Sequence, residues 1–177
     1  MRLMIILVSL FSSIAIAAVS PEKLQEVKAL QLNGGSIITA GLPSESQFPL
    51  LQQAGVELVI NLIPIGNPNG HDDEADFVAN AGMQYQQIDV DWQQPTTANV
   101  EQFFAIMDAN EGKNILIHCA ANYRASAFYY LYELKRGKAD NLDFKQQTMQ
   151  PWGNLSESLA EYPQWDTLIE TVKAELK

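Results

Sequence analysis

Cations are scarce in this 177-residue chain: 11 lysines and arginines face 21 aspartates and glutamates, for a formal charge of −10. So acidic a protein repels polyanions, which argues against general nucleic-acid binding. There is one cysteine, Cys119, so no disulfide can form within the chain. The two histidines, His71 and His118, are too few for a dedicated metal centre. The run His71-Asp72-Asp73-Glu74 reads more simply as the acid-rich start of a helix. Internal repeats, low-complexity tracts and linkers are missing too. What is present, 47% hydrophobic and 18% charged residues, suits one globular domain with a buried core.

Long hydrophobic runs are also lacking, with one exception. After Arg2, Leu3 to Phe11 is almost wholly apolar, and Ala15-Ile16-Ala17 has the small-x-small form of a processing site. The run is short for a bilayer span of about 20 residues and is broken by Ser9, Ser12 and Ser13. It reads as a signal peptide, residues 1–17, ahead of a single domain, 18–177. The expected product is exported to a periplasm, with no stable membrane insertion after cleavage. No cysteine at the junction calls for a lipid anchor.

Beyond the leader, β-like and helical segments alternate. Ser20-Pro21 predicts a short helix to Leu30, and Ser36 to Thr39 a strand. Ser44 to Gln47 is a capping-box pattern opening a helix to Ala54, with Gly55 as its stop. Val56 to Leu62 reads as a buried strand, Pro64 to Gly70 as an irregular loop, and Asp72 to Ala81 as a helix. Tyr85 to Asp91 alternates like a strand, and Ala98 to Asn110 is the next helix. Asn114 to His118 is a second buried strand, followed by a helix from Tyr123 or Arg124 to Arg136. The tail, Asn141 to Lys177, is helical and rich in Trp and Tyr. The predicted fold is α/β: a mostly parallel central sheet flanked by helices.

The informative segment is Ile117-His118-Cys119-Ala120-Ala121-Asn122-Tyr123-Arg124-Ala125-Ser126, a hydrophobic strand entering a tight turn and then a helix. Ligand sites in such sheets lie at the carboxyl ends of strands. Turn amides and a helix N-terminus together make an anion cradle, and a guanidinium adds donors matched to phosphate oxygens. The same positive field favours a thiolate, the nucleophilic form of cysteine.

Here the chain resembles the cysteine-dependent protein phosphatases of the dual-specificity type, whose signature is His-Cys, five residues, Arg, then Ser or Thr. His118-Cys119 and Arg124 match, but four residues rather than five separate Cys119 from Arg124. Ser126 still falls seven after Cys119, the family spacing of its hydroxyl. The usual glycines are absent, and Asn122 is expected to supply the left-handed backbone in their place. Gly41-Leu42-Pro43-Ser44 and Ala54-Gly55-Val56 through Asn61-Leu62 resemble small bacterial members of the superfamily.

The resemblance implies attack by Cys119 on phosphorus, with phosphate held by Arg124 and the amides of Ala120, Ala121, Asn122, Tyr123, Arg124 and Ala125. It also implies a leaving-group acid about thirty residues upstream. Asp91, before the loop Trp92 to Pro95, is preferred to Asp89. Ser126 would assist departure of the thiolate, and His118 would orient the loop by hydrogen bonding. The implied substrate is a phosphorylated protein or small phosphomonoester, and neither metal nor cofactor is required. Two rivals remain: a rhodanese-type sulfurtransferase, since Cys119 to Arg124 is also a six-residue loop, and a non-catalytic phosphate-binding relative.

Overall fold

Residues 19–24 and 26–177 are described by the structure, a computed structural model. The expected leader lies outside them. Five strands form one sheet in the order β1 (Gln31–Asn33), β2 (Ile37–Ala40), β5 (Ile115–His118), β3 (Leu58–Asn61) and β4 (Gln84–Gln87). β1 runs antiparallel to β2; the other neighbours are parallel. Ala40, His118, Asn61 and Gln87 stand side by side, so four strands deliver their carboxyl ends to one edge. The loops that follow them meet there.

Alternation along each strand divides the core. Leu58, Ile60, Ile115 and Ile117 face the helices α3 (Thr97–Ala109), α4 (Tyr123–Lys135) and α7 (Pro163–Glu175), packing against Phe103, Phe128 and Trp165. Ile38, Ala40, Val59 and Leu116 face α1 (Phe48–Gln53) and α2 (Glu74–Asn80), against Phe48, Leu51 and Val78. Two short helices, α5 (Leu142–Thr148) and α6 (Leu155–Glu161), lead into α7. Among the described residues, no helix is long and apolar enough to cross a membrane.

Local chemistry explains most boundaries. Ser44 and Gln47 form the expected capping box, although its first turn, Glu45–Gln47, is 3-10 rather than α. Thr96 and Asn99 close a second box on α3. Three expectations need correction. The helix from Pro21 to Leu30 is only a 3-10 turn, Pro21–Lys23, and the chain then turns through Ala29 at φ +48° so that Leu24 and Val27 can bury on the sheet. β1 was not anticipated; its Gln31 and Asn33 make hydrogen bonds with the Thr39 hydroxyl, pairing that three mostly polar residues do not announce. The strand expected to reach Asp91 stops at Gln87, because its partner β3 ends at Asn61; only the Ile88 amide still reaches the Asn61 carbonyl.

Candidate active site

Cys119 leaves β5 with its amide on the Ala40 carbonyl at 3.2 Å, so the neighbouring strand fixes where the turn begins. The turn is then pinned from below. Asn122 sits at φ +67°, ψ 7°, the left-handed conformation expected of it, and caps α4. Its buried Nδ2 donates to the Ala29 carbonyl at 2.7 Å and to Thr39 Oγ1 at 3.3 Å. Lys28 Nζ donates to the Ala120 carbonyl at 2.9 Å, and Gly41 bridges to Ala121. Gly41 is needed for its size: a Cβ there would stand 3.0 Å from the Lys28 side chain and 3.1 Å from its carbonyl.

The Asn122 geometry makes a measurable demand. Asn122→Ala puts a Cβ-bearing residue without a side-chain donor into αL and strands the Ala29 carbonyl. The expected cost is about 2 kcal/mol, or roughly 4–8 °C in Tm for a domain of this size. Asn122→Gly relieves the backbone strain and should cost less by thermal denaturation. Equal losses in the two variants would show that the conformation is not the constraint.

Arg124 is 6% exposed and points back beneath the turn. Its Nη1 donates to the Leu62 carbonyl at 2.8 Å and the Val90 carbonyl at 2.9 Å, tying together the exits of β3 and β4. Its buried Nε has no partner, and Nη2 makes no hydrogen bond among the described residues. One guanidinium nitrogen is thus spent on the scaffold, and the Nε–Nη2 edge, the fork that grips an oxyanion in two places, is left unpaired among the described residues. The first backbone bond of α4 runs from the Ser126 amide to the Asn122 carbonyl. The amides of Asn122, Tyr123, Arg124 and Ala125 therefore have no backbone acceptor among the described residues. Cys119, Ala120, Ala121, Tyr123 and Arg124 line a cavity of about 280 Å³, with Trp92, Asn67 and Asn69 completing its lining.

Cys119 itself is 1% exposed. It borders both that cavity and the α4-side core. Ala125 is buried in the first turn of α4.

The remaining site candidates are placed differently. His118, one residue before Cys119, follows strand alternation to the opposite face of the sheet. There its Nε2 meets Glu74 Oε1 of α2 at 2.7 Å, both residues buried. It cannot touch a ligand of Cys119, and its hydrogen bond goes to a helix rather than to the turn. Ser126 is buried, and its hydroxyl donates to the Asn122 carbonyl at 2.6 Å, with the Tyr123 carbonyl also in range at 3.1 Å. It thereby caps the turn from within α4.

Asp89 Oδ1 accepts from the Ile65 amide at 3.0 Å and Gln87 Nε2 at 2.8 Å, fastening the 62–73 loop to β4. Asp91 is exposed, with Oδ1 accepting from the Gln93 amide at 2.7 Å. Neither carboxylate lines the Cys119 cavity; the residue that does is the next one, Trp92. His71 Nε2 makes a contact of 2.8 Å with the Pro43 carbonyl. Asn67 and Asn69 were missed at the level of sequence, where the Pro- and Gly-rich loop gave no sign of folding over the cysteine.

The chain is similar to several known proteins. Residues 34–127 match the family described as polymorphic toxin system, DSP-PTPase phosphatase. A DUF442 protein of Shewanella putrefaciens CN-32, with an inferred phosphatase function, is 50% identical and superposes with a TM-score of 0.81, covering 89% of this chain and 99% of its own. P. aeruginosa TpbA shares the fold at 16% identity and TM-score 0.64, over 89% of this chain and 91% of that one. The Beta-lactamase hydrolase-like protein of Xylella fastidiosa (strain Temecula1) is 30% identical over 102 residues, 56% of this chain. The chain spans 23% of that relative's length.

Proposed function

The chain belongs to the DSP-PTPase phosphatase family, and on that premise we propose that it hydrolyses phosphomonoesters through a phosphocysteine on Cys119. The observation that carries the proposal is the unpaired Nε–Nη2 edge of a buried arginine that lines one cavity with the only thiol. A buried guanidinium nitrogen left without a partner is costly unless a ligand completes it. A tetrahedral oxyanion, held on that fork and by the α4 amides, is the fitting ligand.

The proposed chemistry has two steps. The Cys119 thiolate attacks phosphorus, the S–P bond forms, and the ester P–O bond breaks on the opposite side. Asp91 protonates the departing oxygen. Water next attacks the phosphocysteine while the Asp91 carboxylate takes its proton; the S–P bond breaks and inorganic phosphate leaves. Asp91 fits this role better than Asp89, whose Oδ1 is already held by two donors. Ser126 and His118 enter only as supports of the turn and of the strand behind it. The substrate is a phosphorylated protein or a small phosphomonoester, and the same reading places the working protein outside the cytoplasm, after removal of residues 1–17.

A second reading has an observation of its own. No carboxylate among the described residues lines the cavity, and sulfur transfer needs none: Cys119 would take the outer sulfur of thiosulfate, releasing sulfite, and hand it to cyanide as thiocyanate. One assay separates the two. The protein is expected to hydrolyse p-nitrophenyl phosphate with inhibition by vanadate and to make no thiocyanate. Thiocyanate formation without phosphate release would replace the proposal by the sulfurtransferase.

The acid has a separate signature. Asp91→Asn should lower turnover of phenyl phosphate by about 10²-fold or more, and that of p-nitrophenyl phosphate far less, since nitrophenolate departs without a proton. Full turnover of phenyl phosphate in this variant would remove Asp91 from the mechanism.

A further inference from the structure

The C-terminal helices grip both halves of the site at once. From the first turn of α7, Trp165 Nε1 and Gln164 Nε2 both donate to the Trp92 carbonyl, at 3.0 and 3.1 Å. Trp152 Nε1 donates to the carbonyl of Tyr123, the first residue of α4, at 3.0 Å. Ring packing repeats the link. The Trp92 centroid lies 5.1 Å from that of Trp165 and 5.0 Å from that of Tyr162, and Tyr123 stacks on Trp152 at 4.9 Å. Trp152 and Trp165 are buried, while their hydrogen-bond partners are half-buried. The loop after Asp91 thus has a carbonyl held by two side chains. All of this gripping segment lies outside residues 34–127, the stretch the family shares.

We infer that Gln164 and Trp165 are positioning residues: through the Trp92 carbonyl they hold the loop after Asp91, and so set how far the Asp91 carboxylate can reach toward a leaving group in the neighbouring cavity. Swinging the loop outward breaks both hydrogen bonds and opens the aromatic cluster, so the backbone after Asp91 is fixed before substrate arrives. The inference rests on Asp91 as the acid, and two independent readouts keep the questions apart.

The test is the double variant Gln164→Met/Trp165→Phe, which deletes both N–H donors and keeps most of the packing. Amide exchange across residues 89–96 should accelerate by on the order of tenfold. Turnover of phenyl phosphate should fall about tenfold or more while p-nitrophenyl phosphate changes within about twofold, the pattern of a misplaced acid. Adding Asp91→Asn should cause no further loss on phenyl phosphate beyond that of Asp91→Asn alone. Unchanged exchange overturns the grip, whatever turnover does. Accelerated exchange with equal losses on both esters overturns the positioning role and leaves a structural one. If Asp91→Asn alone keeps full turnover, the acid assignment fails instead, and the link from Gln164 and Trp165 to catalysis fails with it even if exchange accelerates.

Discussion

In a Cys119→Ser protein, hydrolysis of aryl phosphates is expected to fall by about 10⁴-fold or more while inorganic phosphate still binds. The two halves of this outcome have different origins. Serine keeps the volume of the side chain at a 1% exposed position, so the turn should hold its shape. A hydroxyl in that place is far less ionised than a thiol and has no neighbouring base, so the attack on phosphorus is lost. Binding survives because the donors belong to other atoms: the Arg124 fork and the amides at the start of α4. Phosphate affinity by calorimetry and steady-state rates measure the halves separately. Loss of both together would mean that the sulfur organises the cradle rather than serving as its nucleophile.

Arg124→Lys is expected to lower kcat/KM by about 10²–10³-fold and to destabilise the fold as well. Lysine offers a point charge on a flexible stem, without a planar fork. It cannot donate to the Leu62 and Val90 carbonyls as Nη1 does and still present two parallel donors to an oxyanion. Losing two charge-assisted bonds to the transition state, at about 1.5–2 kcal/mol each, gives that range in rate. Leaving two carbonyls without their donor should cost a further 1–3 kcal/mol or so of stability, read by denaturant unfolding. A rate loss with unchanged stability would mean that the two carbonyl contacts contribute nothing to the scaffold. Unchanged rates would remove Arg124 from the site.

The legible features were those with a local cause. The capping box at Ser44, the left-handed Asn122 and the position of Cys119 at a strand exit all follow from residues within a few positions of one another. The His118 side chain could have been placed from the same kind of signal. Strand alternation sends adjacent residues to opposite faces, so a histidine next to Cys119 in an extended segment faces away from it, toward Glu74.

What stayed hidden depends on contacts far apart in sequence. Nothing near Arg124 announces that one of its nitrogens will join carbonyls at positions 62 and 90. The run Gln31 to Asn33 is too polar and short to read as a strand until Thr39 answers it. The aromatic residues of the tail signal burial, yet only the fold shows that Trp152 and Trp165 spend their N–H groups on the backbone of the site.

The account turns on which atom becomes bonded to the Cys119 sulfur during turnover. Mass spectrometry of the rapidly quenched protein, after mixing with phenyl phosphate and separately with thiosulfate, reads that atom directly. A phosphoryl group on the peptide carrying Cys119 in the first reaction, and an unmodified peptide in the second, is the predicted result. A single added sulfur with thiosulfate and no phosphoryl adduct would contradict it.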